Sequence, residues 1–180
     1  MTHKFITTVT DFTIGERMEL YLYRHALADS SGGYPHSSDL GLSPMGRKQV
    51  ESLKPLVKRL GIYPKIVMTS PLNRARQTAE ITNKLFWKKS KVVSTEALLP
   101  RANLETLYKE LNEHTSEKQV VVVTHYPLIQ HFLSDVLGYR PQSELPNGCL
   151  MRVDFGGSIG KKKGRYVSVI CPEIDKTDDE

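Results

Sequence analysis

Residues 120–133, VVVVTHYPLIQHFL, change character halfway along. Four consecutive valines predict a buried strand, because β-branched side chains pack well on a pleated sheet. After His125, Pro127 opens a segment with helical apolar spacing, which we expect to end at Leu137. A strand followed at once by a helix is typical of a parallel βα unit in an α/β protein.

Two other stretches pass in the same way from an apolar run into polar residues. They are residues 18–29, MELYLYRHALAD, and residues 65–79, KIVMTSPLNRARQTA. The second predicts a helix over residues 71–86 with Ser70 as its N-cap. A helix capped by Ser43 should bury Val50, Leu53, Val57 and Leu60, and Pro55 should kink or break it. A weaker strand at 91–94 and a short helix at 104–111 complete this part of the pattern.

The last third of the chain has a different pattern. CLMRVDF and RYVSVIC alternate like strands around the glycine-rich connection GGSIGKKKG, which predicts a closing hairpin. The expected fold is therefore an α/β three-layer sandwich. It has a mostly parallel central sheet, helices on both faces and an antiparallel C-terminal hairpin at the edge.

Length and composition favour one domain, since 180 residues with 39% hydrophobic content support a single core of ordinary size. We predict an N-terminal extension over residues 1–17, one domain over residues 18–172 and an acidic tail over residues 173–180. No run approaches the ~20 apolar residues of a membrane span, and the first residues lack the apolar core of a secretion signal. A cytoplasmic protein without membrane association is expected.

Cysteine and charge usage narrow the function classes further. Cys149 and Cys171 form no Cys-x-x-Cys motif; a symmetric hairpin about Gly160 would make them face each other, and we expect both to be reduced. The net charge of +5 and the run Lys161 to Lys163 could suggest nucleic-acid binding, but the run lies among glycines and predicts a solvated turn. We expect no nucleic-acid partner.

Three predicted strands end in charged residues: Arg24 and His25, then Arg74 on the turn after the next strand, then His125. Each alone has an ordinary structural interpretation. In an open parallel sheet, however, ligand sites form beyond the carboxyl ends of the strands, so the four side chains could meet there. Guanidinium groups bind phosphate oxygens and imidazole can attack phosphorus, so together they predict phosphoryl transfer without a metal or other cofactor. The other four histidines, His3, His36, His114 and His131, are interpreted as structural or solvated.

Four motifs in this order and spacing resemble the histidine phosphatase superfamily, which has the phosphoglycerate mutase-like fold. They are YRHA (23–26), LSPMGRKQ (42–49), SPLNRARQTAE (70–80) and VVVTHYPL (121–128). The resemblance implies that His25 is the nucleophile, that Arg24 and Arg74 bind phosphate, and that His125 contacts the transferring group.

Departures from the superfamily pattern suggest a particular branch. Ala26 and Ala28 replace a glycine and a phosphate-contacting hydroxyl residue, and Pro100 lies where many members have a glutamate general acid. SixA-like phosphohistidine phosphatases are similar in these respects. A phosphohistidine substrate can leave as neutral imidazole, so it needs an acid less than an alkyl phosphate does.

The expected activity is removal of phosphate from phosphohistidine on a protein, through a phosphohistidine intermediate, by a monomeric enzyme. One alternative is a phosphatase of small phosphomonoesters with Asp29, Glu96 or Glu105 as an unrecognised acid or substrate contact. The other is a non-enzymatic module that binds a phosphorylated partner in the same pocket.

Overall fold

The computed structural model describes residues 17–29, 39–87 and 90–173. The predicted extension up to residue 16, the tail beyond residue 173, and the histidines at positions 3 and 36 lie outside these ranges. Within them, no helix is long and apolar enough to cross a membrane.

Six strands form one sheet in the order β3-β2-β4-β1-β5-β6. They are β1 (Arg17–Arg24), β2 (Ile66–Thr69), β3 (Lys91–Ser94), β4 (Gln119–Thr124), β5 (Leu150–Gly156) and β6 (Arg165–Ile170). Pairing is parallel from β3 through β1, whereas β5 and β6 run antiparallel at one edge. The predicted topology, a mostly parallel sheet with an edge hairpin, is confirmed.

Helices cover both faces of the sheet. They are α1 (Pro44–Ser52), α2 (Lys54–Arg59), α3 (Asn73–Thr82), α4 (Leu104–Asn112) and α5 (Leu128–Leu137). Alternate strand residues separate two cores: Tyr21 and Val121 pack with α2 and α3, whereas Leu22 and Val122 pack with α4 and α5. This period-2 separation produces the predicted three layers.

Two helices differ from the prediction in detail. Leu53 separates α1 from α2 just before Pro55, as expected for a proline that breaks a helix, but Leu60 lies beyond α2 and is 51% exposed. Helix α3 begins at Asn73 rather than at residue 71, and Leu72 rather than Ser70 is at its N-cap position; the Ser70 hydroxyl accepts a hydrogen bond from the N–H of Leu72. The chain after α3 continues as a π-helical turn, Asn83–Trp87.

The C-terminal hairpin brings the two cysteines together. Leu150 pairs with Ile170, so the next residues outward, Cys149 and Cys171, face each other with Cα atoms 4.3 Å apart. They form a disulfide bond, so the prediction that both are reduced is wrong. Spacing could suggest their proximity but not their oxidation state. The lysine run lies in the exposed connection between the strands, where Lys161 pairs with Asp135 at 3.2 Å.

Candidate active site

The two predicted catalytic histidines follow neighbouring strands. Because β1 and β4 are parallel and in register, with Arg24 beside Thr124, His25 and His125 leave the sheet side by side. Their ring centroids are 4.9 Å apart. Both residues are buried, with His125 only 1% exposed. The sheet topology alone therefore brings together two imidazoles that are 100 positions apart in the sequence.

Arg24 lies at the end of β1, and its guanidinium is bound through Nη1. Nη1 donates a 2.8 Å hydrogen bond to the Leu145 carbonyl and lies 3.6 Å from the half-exposed carboxylate of Glu144. The guanidinium also lies 5.7 Å from the centre of the Tyr126 ring, within cation–π range. Its Nε is buried and has no hydrogen-bond partner among the described residues. A buried cationic donor is thus left to bind something else.

Arg74 occupies the first turn of α3, directly after β2. Burial lowers the pKa of its guanidinium, and the nearby carboxylate of Asp39 acts in the opposite direction. The helix is tied to the His25 loop through Thr78, whose hydroxyl donates to the Arg74 carbonyl at 2.7 Å and accepts from the Ala26 N–H at 3.1 Å. Thr78 therefore fixes α3 relative to the loop that carries His25.

The His25 ring is held in one tautomer. Its Nδ1 lies 2.7 Å from the Ala26 carbonyl, and a carbonyl can only accept, so Nδ1 carries the proton. The lone pair of a neutral ring is then on Nε2, the nitrogen available for attack. Burial, together with the charges of Arg74 and Arg24, lowers the pKa of His25 to about 4, although the Ala26 hydrogen bond opposes the shift. At neutral pH this imidazole is therefore uncharged.

His125 has two ring nitrogens without hydrogen-bond partners among the described residues. Burial lowers its pKa to about 2, helped by His25, Arg74 and Arg24 in that order. A buried ring with neither nitrogen satisfied is costly, since an unpaired polar group loses its hydration without replacement. A phosphate oxygen would supply the missing acceptor.

A loop before β5 contacts the site in a way that the sequence analysis missed. The Asn147 side-chain amide donates to the His25 carbonyl at 3.0 Å, and its nitrogen lies 3.5 Å from Nδ1 of the ring. Leu145 binds Arg24 from the same loop. The PNG sequence at residues 146–148 signals a turn, but only the tertiary fold shows which strand end that turn contacts.

The three carboxylates named as candidate general acids, Asp29, Glu96 and Glu105, lie in different parts of the fold. Glu96 begins a 3-10 turn, Glu96–Leu98, and is exposed, as is Glu105 on α4. Asp29 donates its backbone N–H to the Gly41 carbonyl at 2.9 Å. None of the three is among the groups that shift the pKa of His25 or His125. The electrostatic surroundings of both imidazoles are therefore dominated by cations and burial.

The resemblance seen in the motifs is matched by known proteins. Residues 20–98 match the model of the histidine phosphatase superfamily, branch 1. An uncharacterized protein of Picosynechococcus sp. strain PCC 7002 is 32% identical over 112 residues, which cover 61% of this chain and 67% of the relative. The chain belongs to the histidine phosphatase superfamily.

Solved structures show how widely the fold is shared. The protein histidine phosphatase SixA, solved with tungstate, has a TM-score of 0.75 at 19% identity, and the match covers 86% of this chain and 97% of SixA. The α-ribazole phosphatase from Shigella flexneri has a TM-score of 0.64 at 16% identity, with 84% and 100% covered. At these identities the two structures support the fold, and they differ in the substrate that their names give.

Proposed function

We propose that this protein is a metal-independent phosphatase that removes phosphate from phosphohistidine on a partner protein through a phosphohistidine intermediate on His25. The observation that carries the proposal is a set of unpartnered buried nitrogens around His25. They belong to Arg24, at Nε, and to His125, at Nδ1 and Nε2. The Arg24 Nε–H and the one N–H of the neutral His125 ring can both donate to a tetrahedral anion bound next to His25, the proposed nucleophile.

The first step is attack by Nε2 of His25 on phosphorus, in line with the bond that breaks. A P–N bond forms to His25, and the P–N bond of the substrate breaks with its electron pair going to the substrate ring. The other nitrogen of that ring carries a proton from solvent, so the leaving group is neutral imidazole. Arg24, Arg74 and His125 stabilise the equatorial oxygens. The fixed Nδ1–H of His25 spreads the developing positive charge towards the Ala26 carbonyl, which accepts its hydrogen bond.

The second step is hydrolysis of phospho-His25. Water attacks phosphorus, the P–N bond to His25 breaks, and the Nε2 lone pair is restored. Two observations favour phosphohistidine over an alkyl phosphate as substrate. Among the described residues no carboxylate is one of the groups that shift the pKa of His25 or His125, and an imidazole leaving group needs an acid less than an alkoxide does. In addition, the crossover between the Glu96–Leu98 turn and β4 contains only α4 and short turns, so it places no inserted lid over the site.

The fold shared with α-ribazole phosphatase supports a second candidate, a phosphatase of small phosphomonoesters. That reaction needs a proton donor for the alkoxide. Asp29, Glu96 and Glu105 are the carboxyl groups to replace in order to find this proton donor.

Cytoplasmic location and a monomeric state stay predictions, and the Cys149–Cys171 disulfide weighs against a strongly reducing compartment.

The test compares phosphate release from a phosphohistidine-bearing carrier protein and from a panel of alkyl phosphates, in the presence of a chelator. His25→Ala should abolish release, whereas His131→Ala, on the exposed side of α5, should not. Wild-type protein should also trap labelled phosphate as an acid-labile, base-stable adduct. Activity retained in His25→Ala would overturn the covalent mechanism, and a preference for one alkyl phosphate would favour the second candidate.

A further inference from the structure

Residues 145–149 form a bracket around the end of β1. The Gly148 N–H donates to the carbonyls of both Arg24 (3.1 Å) and His25 (3.2 Å), and the Arg24 N–H donates to the Cys149 carbonyl at 3.1 Å. Side chains add to these backbone bonds, since Arg24 binds the Leu145 carbonyl and Asn147 binds the His25 carbonyl. The bracket therefore contacts both the proposed nucleophile and one proposed phosphate ligand.

The bracket lies outside the regular sheet, because strand β5 begins only at Leu150. Its distal end is tied by the disulfide to Cys171, one residue beyond β6. Cys149 is buried, at 1% exposed, whereas Cys171 is exposed. A covalent bond thus joins the bracket to the hairpin at the point where β-sheet hydrogen bonding ends, and one of its two residues is accessible from solvent.

We propose that residues 145–149 position the His25 imidazole and the Arg24 guanidinium, with Asn147 as the positioning side chain, and that the Cys149–Cys171 disulfide holds this bracket in its active geometry. Reduction by a dithiol then lowers turnover. The expected effect of reduction on catalysis rests on the proposed function. The expected effect of reduction on the position of His25 does not depend on any substrate.

The redox step is an ordinary thiol–disulfide exchange. A thiolate of the dithiol reductant attacks the exposed Cys171 sulfur, and the Cys149 thiolate leaves and takes up a proton. The second thiol of the reductant then closes the reductant's own disulfide and releases Cys171 as a thiol. The reductant loses two electrons and the protein disulfide gains them. Without the bond, the hydrogen bonds of the bracket lose the covalent support at Cys149, and we expect them to weaken.

Displacements of about 1 Å at a reacting group can lower a rate by roughly 10²-fold, so partial loosening should lower kcat by about tenfold. We expect KM to change less than about twofold, since the other two proposed site residues, Arg74 on α3 and His125 after β4, lie outside the bracket. The same loosening admits water to His25, so its pKa should rise from about 4 towards its ordinary value.

The experiment compares oxidised and dithiol-reduced wild-type protein with Cys171→Ser, which removes the disulfide at its exposed end. The reduced and variant proteins should show the same lower kcat, and the reductant should have no effect on Cys171→Ser. Cooperative unfolding, followed by circular dichroism, checks that all three samples are folded. Equal kcat in oxidised and reduced wild-type protein would overturn the proposal while leaving the phosphatase function intact.

The His25 imidazole resonance, titrated by NMR in both redox states, decides the case if no phosphatase activity is found. A higher pKa after reduction supports positioning by the disulfide even if the function is different. An unchanged titration curve would overturn the proposal without reference to turnover.

Asn147 is tested separately by isosteric replacement. Asn147→Asp puts a carboxylate near Nδ1 of His25, so the acid limb of the pH–rate profile should move to higher pH. Asn147→Ala should lower kcat about tenfold at constant KM. Asn103→Ala is the matched control, because that amide caps α4 through the Glu105 N–H. A pH profile unchanged in Asn147→Asp would refute the positioning role.

Discussion

Two neutral buried histidines should make the stability of the protein depend steeply on pH. The pKa is lowered to about 4 for His25 and to about 2 for His125, first by burial and then by neighbouring charges. An unfolded chain restores the ordinary value of ~6.5 to both groups. Below that value the unfolded state binds more protons than the native state does. The free energy of unfolding therefore falls as the pH drops from ~6.5 towards ~4.

The size of the effect follows from the shifts. One pKa unit corresponds to about 1.4 kcal/mol, and at about pH 4.5 each histidine lies about two pH units below its unfolded value. Each group should then destabilise the fold by up to about 2.5 kcal/mol, and the pair by up to about 5 kcal/mol. Since whole domains are stable by only about 5–15 kcal/mol, acid should bring the protein close to unfolding.

Urea unfolding of wild-type protein and His125→Gln, at about pH 7 and about pH 4.5, isolates one histidine. Glutamine does not take up a proton, so the loss of stability between the two pH values should be about 2.5 kcal/mol smaller in His125→Gln. The exposed residue His131 provides the matched control, His131→Gln. Equal losses in wild-type protein and His125→Gln would refute the view that His125 is held neutral at a cost to folding.

Three further substitutions test the surroundings of the site. If Arg74 donates to the transition state as proposed, Arg74→Ala should lower kcat/KM about 10²-fold, whereas Arg76→Ala, on the exposed side of the same helix, should leave it unchanged; steady-state kinetics distinguishes them. Gly46→Ala would place a methyl group 2.1 Å from the Leu27 carbonyl, so urea unfolding should show a loss of about 2–3 kcal/mol. Glu144→Gln removes a half-exposed carboxylate that competes for the β1 arginine, so calorimetry should find tungstate binding tightened about two- to fivefold.

Local patterns were sufficient to predict the layers of the fold. Four valines in a row, and Pro44 after Ser43, specify their own structures through packing and capping, and both predictions are confirmed. The convergence of His25 and His125 also followed from the sequence, because parallel strands end at the same edge of a sheet. Their catalytic roles stay predictions.

The missed features depend on contacts between distant segments. Asn147 resembles any turn asparagine until the fold places it against His25, 122 positions away. The hairpin register predicted that Cys149 and Cys171 face each other, but oxidation depends on chemistry that spacing does not encode. Leu60 matched the apolar spacing of one continuous helix. The helix is interrupted just before Pro55, so that spacing no longer places Leu60 on the buried face.

The buried histidines and arginines at the sheet edge have opposite effects on folding and on ligand binding. Two histidines are kept neutral beside Arg24 and Arg74, and the nearest carboxylate bound to Arg24 is half exposed. The buried Nε of Arg24 and ring nitrogens of His125 lack partners among the described residues, which destabilises the free protein. A tetrahedral dianion would accept hydrogen bonds from the Arg24 Nε–H and from the one N–H of the neutral His125 ring. A bound dianion would also raise the pKa of both histidines, so that ligand binding and resistance to acid are linked. The features that weaken the free site are therefore those that would strengthen its affinity for the phosphoryl group that we propose it binds.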